Sequence, residues 1–165
     1  MTFKVIITGD KEVVQALTKV SKKVLGPMIE PLTSSSQMYV SEILKNFKTS
    51  GGTFNEPWKS LSPVTIKIKK KLKEQGRAIA VEQPLVRTGK MRGSFKYEIK
   101  PKHASIYNIQ QYSDIHQEGG TATFHGKKVT IPKRILLKVD LVRVNLVAHI
   151  FENWVKKLVR EFNTK

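Results

Sequence analysis

The chain has 165 residues, 39% of them hydrophobic and 26% charged, which suits one domain with a real core. Its 30 lysines and arginines against 13 acids give a formal net charge of +17; a charge that large repels itself and argues for a polyanionic neighbour, either nucleic acid or an acidic protein surface. There is no cysteine, so disulfides, thiolate nucleophiles and thiolate metal sites are excluded.

The N-terminal run Met1–Ile7 lacks the layout of a signal peptide, and no stretch reaches the roughly 20 apolar residues of a membrane helix. A soluble product, cytoplasmic when made, is expected. Residues 3–8 read as a short strand broken at Gly9-Asp10. Asp10 is a good N-cap, and Val13, Leu17, Val20 and Val24 then recur at helical spacing until Gly26-Pro27 stops the helix. A second helix is expected from about Pro31 to Phe47, with Met38, Tyr39, Ile43, Leu44 and Phe47 as its apolar set. Residues 48–57 read as a loop, marked by Ser50-Gly51-Gly52 and Glu56-Pro57.

Ser62-Pro63 has the form of an N-cap followed by proline at the first helical position, which opens a lysine-rich helix over Val64–Gln75. Residues 77–87 read as irregular or flexible. Two short strands follow, Phe95–Lys100 and Ser105–Ile109, joined at Pro101-Lys102. Tyr112–Glu118 reads as a helical turn closed by Gly119-Gly120, and Thr121–Ile131 as a hairpin turning at His125-Gly126 and ended by Pro132. Asp140 can cap a last helix reaching Phe162, roughly 35 Å long at 1.5 Å per residue. Val144, Val147, Phe151, Trp154, Leu158 and Phe162 form its apolar seam, broadened by Leu146, Ile150 and Val155, with Arg143 assigned to another face. The expected fold is therefore α+β: N-terminal helices over about 10–75, a small antiparallel β-sheet over about 85–139, and a long C-terminal helix over about 140–163, as a single domain spanning 1–165.

Catalytic patterns are missing. His103, His116, His125 and His149 are scattered without metal-ligand spacing, and His116-Gln117-Glu118 resembles a zinc-deaminase H-x-E only without the cysteine pair that motif needs. Gly120–Lys128 mimics a phosphate loop but is one residue too long, with Lys128 where Ser or Thr must bind magnesium. There is no G-x-S-x-G elbow and no paired-carboxylate centre. No enzyme, cofactor or metal is expected. Lys67, Lys69, Lys70, Lys71 and Lys73 are read either as a solvated helix face or as a polyanion contact, in which each lysine neutralises a phosphate. The C-terminal seam is read as core, with docking on a neighbouring subunit as the alternative.

Four ordered motifs carry a resemblance. They are Pro57-Trp58-Lys59-Ser60-Leu61-Ser62 with Thr65 and a lysine-rich stretch after it; Leu85-Val86-Arg87-Thr88-Gly89-Lys90-Met91-Arg92-Gly93-Ser94; Tyr112 followed by His116-Gln117-Glu118-Gly119; and Ile131-Pro132-Lys133-Arg134. The last three are similar to the L-x-x-T-G-x-L-x-x-S, Y-x-x-x-H-Q-x-G and I-P-x-R of the phage virion-morphogenesis or tail-completion family of Mu-like phages and prophages. The family's A-R-P-F-L after the proline is replaced here by Lys133-Arg134-Ile135-Leu136-Leu137.

The motifs admit a structural account. Trp58 offers an apolar surface to anchor its loop, Thr88 a cap, and Gly89 a backbone angle that side chains resist. Met91 and Phe95 would enter the core, His116 and Gln117 would satisfy backbone groups around Gly119-Gly120, and Arg134 would pair with Asp114 or Glu118.

The resemblance implies a structural protein of tail completion, neck formation or head-tail joining. It would act in the host cytoplasm during assembly and then in the virion, in the tail or neck. It would contact other phage tail or connector proteins and copies of itself in a cyclic oligomer, with a hexamer the candidate number. The free protein is expected to be monomeric, with 48–57 and 77–87 ordering on assembly. An acidic partner is preferred over nonspecific contact with DNA in a channel as the destination of the charge; no membrane is involved. The alternative is a basic, nonspecific nucleic-acid-binding protein.

Overall fold

The computed structural model describes residues 11–124 and 126–163. In chain order it holds helices α1 (Lys11–Leu25) and α2 (Ile29–Lys48), a 3-10 turn (Gly52–Phe54), α3 (Pro63–Glu74), a one-turn α4 (Lys90–Gly93), strands β1 (Phe95–Lys100) and β2 (His103–Asn108), α5 (Ser113–Glu118), strands β3 (Gly120–Phe124) and β4 (Lys127–Ile131), and α6 (Leu141–Asn163). The class is α+β with a long C-terminal helix, as expected. In place of one small sheet there are two separate antiparallel pairs, β1–β2 and β3–β4. The expected strand at 3–8, the Asp10 cap and the turn residue His125 lie outside the described residues, as do the side chains of Val13, Leu17 and Phe162.

Helix α2 organises the core because Tyr39, Ile43 and Phe47 recur at every fourth residue and share one face. All three are buried, and the helix packs against α6 on one side and β1–β2 on the other. The Phe47 ring meets Trp58 edge-on at 5.2 Å and Phe95 at 6.1 Å. Each such buried ring contributes about 1.5–3 kcal/mol relative to its exposed state. Leu44, expected in the same set, is exposed.

Residues 48–57 depart from the expectation of an arm that orders late. Phe54 is fully buried, its N–H donates to Asn46 Oδ1 at 3.2 Å, and Gly51 N–H returns to the Asn46 carbonyl at 2.9 Å. The glycine- and serine-rich composition builds a tight reversal, with Gly51 at φ +96°, where an added Cβ would lie 2.0 Å from the Glu56 carbonyl oxygen. Residues 77–87 are irregular, as read, yet they too are held. Ala78 and Val86 are buried, and Ile79 N–H donates to the Arg87 carbonyl at 2.7 Å.

Two of the caps read from sequence are formed. Ser62 Oγ accepts from Thr65 N–H at 3.2 Å to open α3, and Asp140 Oδ1 accepts from Arg143 N–H at 3.0 Å to open α6. The α6 seam is a partial correction. Trp154 and Leu158 are buried, whereas Leu141, Val142, Val144 and Leu146 are exposed, Leu141 by 80%. The face that turns inward at the helix start carries Arg143 in place of an aliphatic. No helix of the described residues is long and apolar enough to cross a membrane.

Candidate functional site

The four motifs meet around the segment that follows Pro132. Trp58 Nε1–H donates to the Ile135 carbonyl at 3.1 Å, and the buried Asn46 amide donates to the same oxygen at 2.9 Å. One residue on, Gln117 Oε1 accepts from Leu136 N–H at 2.8 Å and Leu137 N–H at 3.1 Å, while its Nε2–H returns to the Leu137 carbonyl at 2.9 Å. The Gln117 side chain thus acts as a substitute strand for a segment that has no ladder of its own. This corrects the expectation that His116 and Gln117 serve the Gly119-Gly120 loop. That loop meets its own constraint at Gly119, at φ +75°, where a Cβ would come within 2.9 Å of Lys133 N.

Arg134 closes the knot. Its N–H donates to the His116 carbonyl at 2.7 Å and its guanidinium to the Lys59 carbonyl at 3.2 Å, so the fourth motif bridges the third and the first. The expected pairing with Asp114 or Glu118 is not formed, because the backbone bond draws Arg134 inward while Glu118 stands 3.8 Å from Lys133. His116 is half-buried with Nδ1 unpartnered, and Arg134 Nε is likewise without a hydrogen bond. Burial, and then the nearby Arg134 charge, hold the imidazole below the usual histidine range, so it stays neutral at neutral pH. The Tyr112 ring stands edge-on to His116 at 6.4 Å and is otherwise exposed.

The second motif supplies packing. Val86 and Met91 are buried in the core and Leu85 packs against it. Thr88 Oγ1 accepts from Lys90 N–H only at 3.5 Å, so the cap position of α4 belongs to Gly89, at φ +77°. Ser94 Oγ donates to the Lys90 carbonyl and accepts from Gln110 Nε2–H at 3.0 Å. Thr65 joins the α3 cap, its hydroxyl 2.9 Å from that of Ser62. Leu61, Ile131 and Pro132 are half-buried and Pro57 is exposed.

The lysine set divides. Lys67, Lys70, Lys71 and Lys73 are exposed, but Lys69 turns inward, 5% exposed, and donates to the Gln83 carbonyl at 2.7 Å. Burial and the neighbouring Arg87 pull its amine below the ordinary lysine range. Lys69 is therefore corrected from surface contact to interior tie, since α3 needs its Thr65, Lys69 and Leu72 face against the body.

Arg143 is the residue that sequence reasoning misplaced. Its guanidinium reaches Glu42 Oε2 at 3.0 Å, Asp140 Oδ2 at 2.9 Å and the Thr53 carbonyl, and lies 4.7 Å from the Phe54 ring centroid. The signal was present: Arg143 falls in step with Val147, Ile150, Trp154 and Leu158, the stripe that faces inward. Burial pushes the Glu42 carboxyl up, but its hydrogen bonds to Lys45 and Arg143 and their charges outweigh that and hold it below the usual range. Asp140 is lowered first by its bond from the Arg143 N–H, then by the guanidinium.

Among the described residues, no three His, Cys, Asp or Glu side chains gather as a metal site. An open groove of about 320 Å³ lies beside β2, with Asp114 its one titratable carboxylate. What the motif residues do chemically is hold backbone to backbone across the chain. Searches of curated proteins and of solved structures return no match. The model of the phage virion morphogenesis family matches residues 9–156, a span that contains all four motifs and every described element through most of α6. The chain belongs to the phage virion morphogenesis family.

Proposed function

We propose that the protein completes the tail or builds the neck, so that tails and DNA-filled heads can join, and that it does so through protein–protein contacts in a ring rather than by catalysis. The observation that carries this reading is where the motif polar groups go. Trp58, Gln117 and Arg134 direct their hydrogen bonds to backbone carbonyls and N–H groups of the chain itself. A motif set used in this way holds a shape, and the surface it presents is basic and partly aliphatic. Such a surface suits contact with acidic neighbours.

The protein would work in the host cytoplasm during assembly and remain in the tail or neck. Copies of the chain in a cyclic oligomer, with six the candidate number, would match the rotational symmetry of tails. The exposed lysines Lys67, Lys70, Lys71 and Lys73 support contact with an acidic ring on a partner.

Electron microscopy of particles from the parent phage with this reading frame disrupted tests the role. Full heads accumulating beside unattached tails are expected. Normal infectious virions would overturn the reading. They would also promote nucleic-acid binding, whose mark is affinity that falls steeply with salt.

A further inference from the structure

We infer that the β3–β4 hairpin of one copy adds to the next copy at the edge of β2 that no strand takes among the described residues, joining copies head to tail. This rests on the ring reading above and names the two surfaces that meet.

The hairpin lacks a place of its own. β3 and β4 pair only with each other among the described residues, and their packing is chiefly mutual. Thr121, Thr123 and all of Lys127–Thr130 are exposed, Val129 by 48%. A lone two-stranded hairpin is marginal in water, and its two outer edges present unpaired N–H and C=O groups to any neighbouring strand.

The body offers a slot that fits it. The open groove is bordered on one side by Phe95 of β1 with Ile106, Tyr107 and Asn108 of β2, and on the other by Asp114 and Gln117 of α5 and by Leu137. Phe95 is the cross-strand partner of Asn108, so the groove begins on the inner face of the β1–β2 pair, and Tyr107, whose side chain points to the opposite face from Ile106 and Asn108, carries it round to the edge of β2. The other edge of β2 is taken by β1. An incoming strand gains main-chain hydrogen bonds from such an edge, and alternate side chains settle into the adjoining pocket.

Charge selects the occupant. Copies carrying +17 repel one another, so contact between them needs local opposition. The slot wall carries the exposed Asp114, whereas the segment from Gly120 to Ile131 holds Lys127 and Lys128 and no acid. Nucleic acid has no strand to add and is repelled by the aspartate. The two surfaces differ and lie on one chain, so the contact repeats, and it closes into a ring when the rotation allows.

The chain has no cysteine, so an introduced thiol is the only one each copy carries at that position, and bands of this protein are followed with an antibody against it. Phage particles carrying Tyr107→Cys together with Thr123→Cys, or Tyr107→Cys together with Val129→Cys, are oxidised mildly and run on a non-reducing gel. A ladder beyond the dimer is expected from at least one pair, and none beyond the dimer from any single cysteine. Particles that assemble yet show only monomer for both pairs overturn the inference and leave the assembly role standing. Infectious virions without the protein remove that role instead. Should the cysteines block assembly, a charge exchange decides. Asp114→Lys is expected to lower titre about 100-fold, and adding Lys127→Asp with Lys128→Asp to restore most of it, whereas no restoration overturns the inference.

Discussion

The knot around Ile135 and the β3–β4 hairpin use polar chemistry in opposite ways. In the knot, Asn46, Trp58 and Arg134 reach backbone groups 89, 77 and 75 residues away, so each bond fixes parts of the chain that meet only once it has folded. In the hairpin the ladder joins near neighbours, from Gly120↔Ile131 to Phe124↔Lys127, and the lysines face water. Substitutions should therefore separate into those that reach the fold and those that reach only what the fold presents.

The sharpest break is expected at Gly51→Ala. A Cβ there would meet the Glu56 carbonyl at 2.0 Å and the Trp58 ring at 2.7 Å, on a backbone angle that side chains resist. A loss above about 4 kcal/mol is expected, read as failure to give a cooperative unfolding transition. Arg143→Ala comes next, at roughly 3–5 kcal/mol in urea denaturation, because Glu42 and Asp140 are left without their shared partner.

The same variant tests a pH dependence. Glu42 and Asp140 have folded-state values below their unfolded ones, so their contribution is complete above the ordinary carboxylate range near pH 4 and is lost as pH falls through the lowered folded values. Melting temperature against pH should drop in that acid window for the natural chain and be flatter in Arg143→Ala.

Gln117→Ala should cost about 2–3 kcal/mol, since Leu136 and Leu137 N–H groups lose their acceptor within the body. The smallest effect on stability belongs to the hairpin. Lys127→Glu with Lys128→Glu should leave unfolding within about 0.5 kcal/mol of the natural chain while reducing particle assembly. A large stability loss there would erase the contrast between the two regions.

Features governed by local chemistry were legible in the sequence. Ser62-Pro63 and Asp140 cap their helices, Gly26-Pro27 ends α1, and Pro132 ends β4 one residue after Ile131. Features governed by distant partners were not. Asn46 sits in α2 among residues that read as polar surface, and only Phe54 and Ile135, brought in from elsewhere, make it an interior residue. Residues 48–57 read as loose because Gly, Ser and Thr dominate them, yet Phe54 and Trp58 bury on both sides of the turn. Arg143 and Lys69 looked solvent-facing by charge alone. The spacing of Arg143 put it on the inward stripe and Asp140 stands three residues before it, but Glu42 and the Gln83 carbonyl, which complete the two sites, come from elsewhere in the chain. Trp58, Met91 and Phe95 pack into the core as read, but the backbone partners of Trp58, Gln117 and Arg134 were not foreseen.

The strap from Ile135 to Asp140 has a mechanical consequence. Its Ile135 carbonyl takes two donors, Gln117 grips the next two residues, the Lys138 carbonyl accepts from Tyr39 Oη, and Lys138 Nζ donates to the Phe54 carbonyl at 3.2 Å. A slip of one residue, about 3.3 Å of extended chain, breaks all of these together rather than in turn. The strap is thus an index stop at the foot of a lever, because α6 extends 23 residues, or about 35 Å, beyond it. Whatever the helix meets at its far end, its point of departure is set to within a single residue.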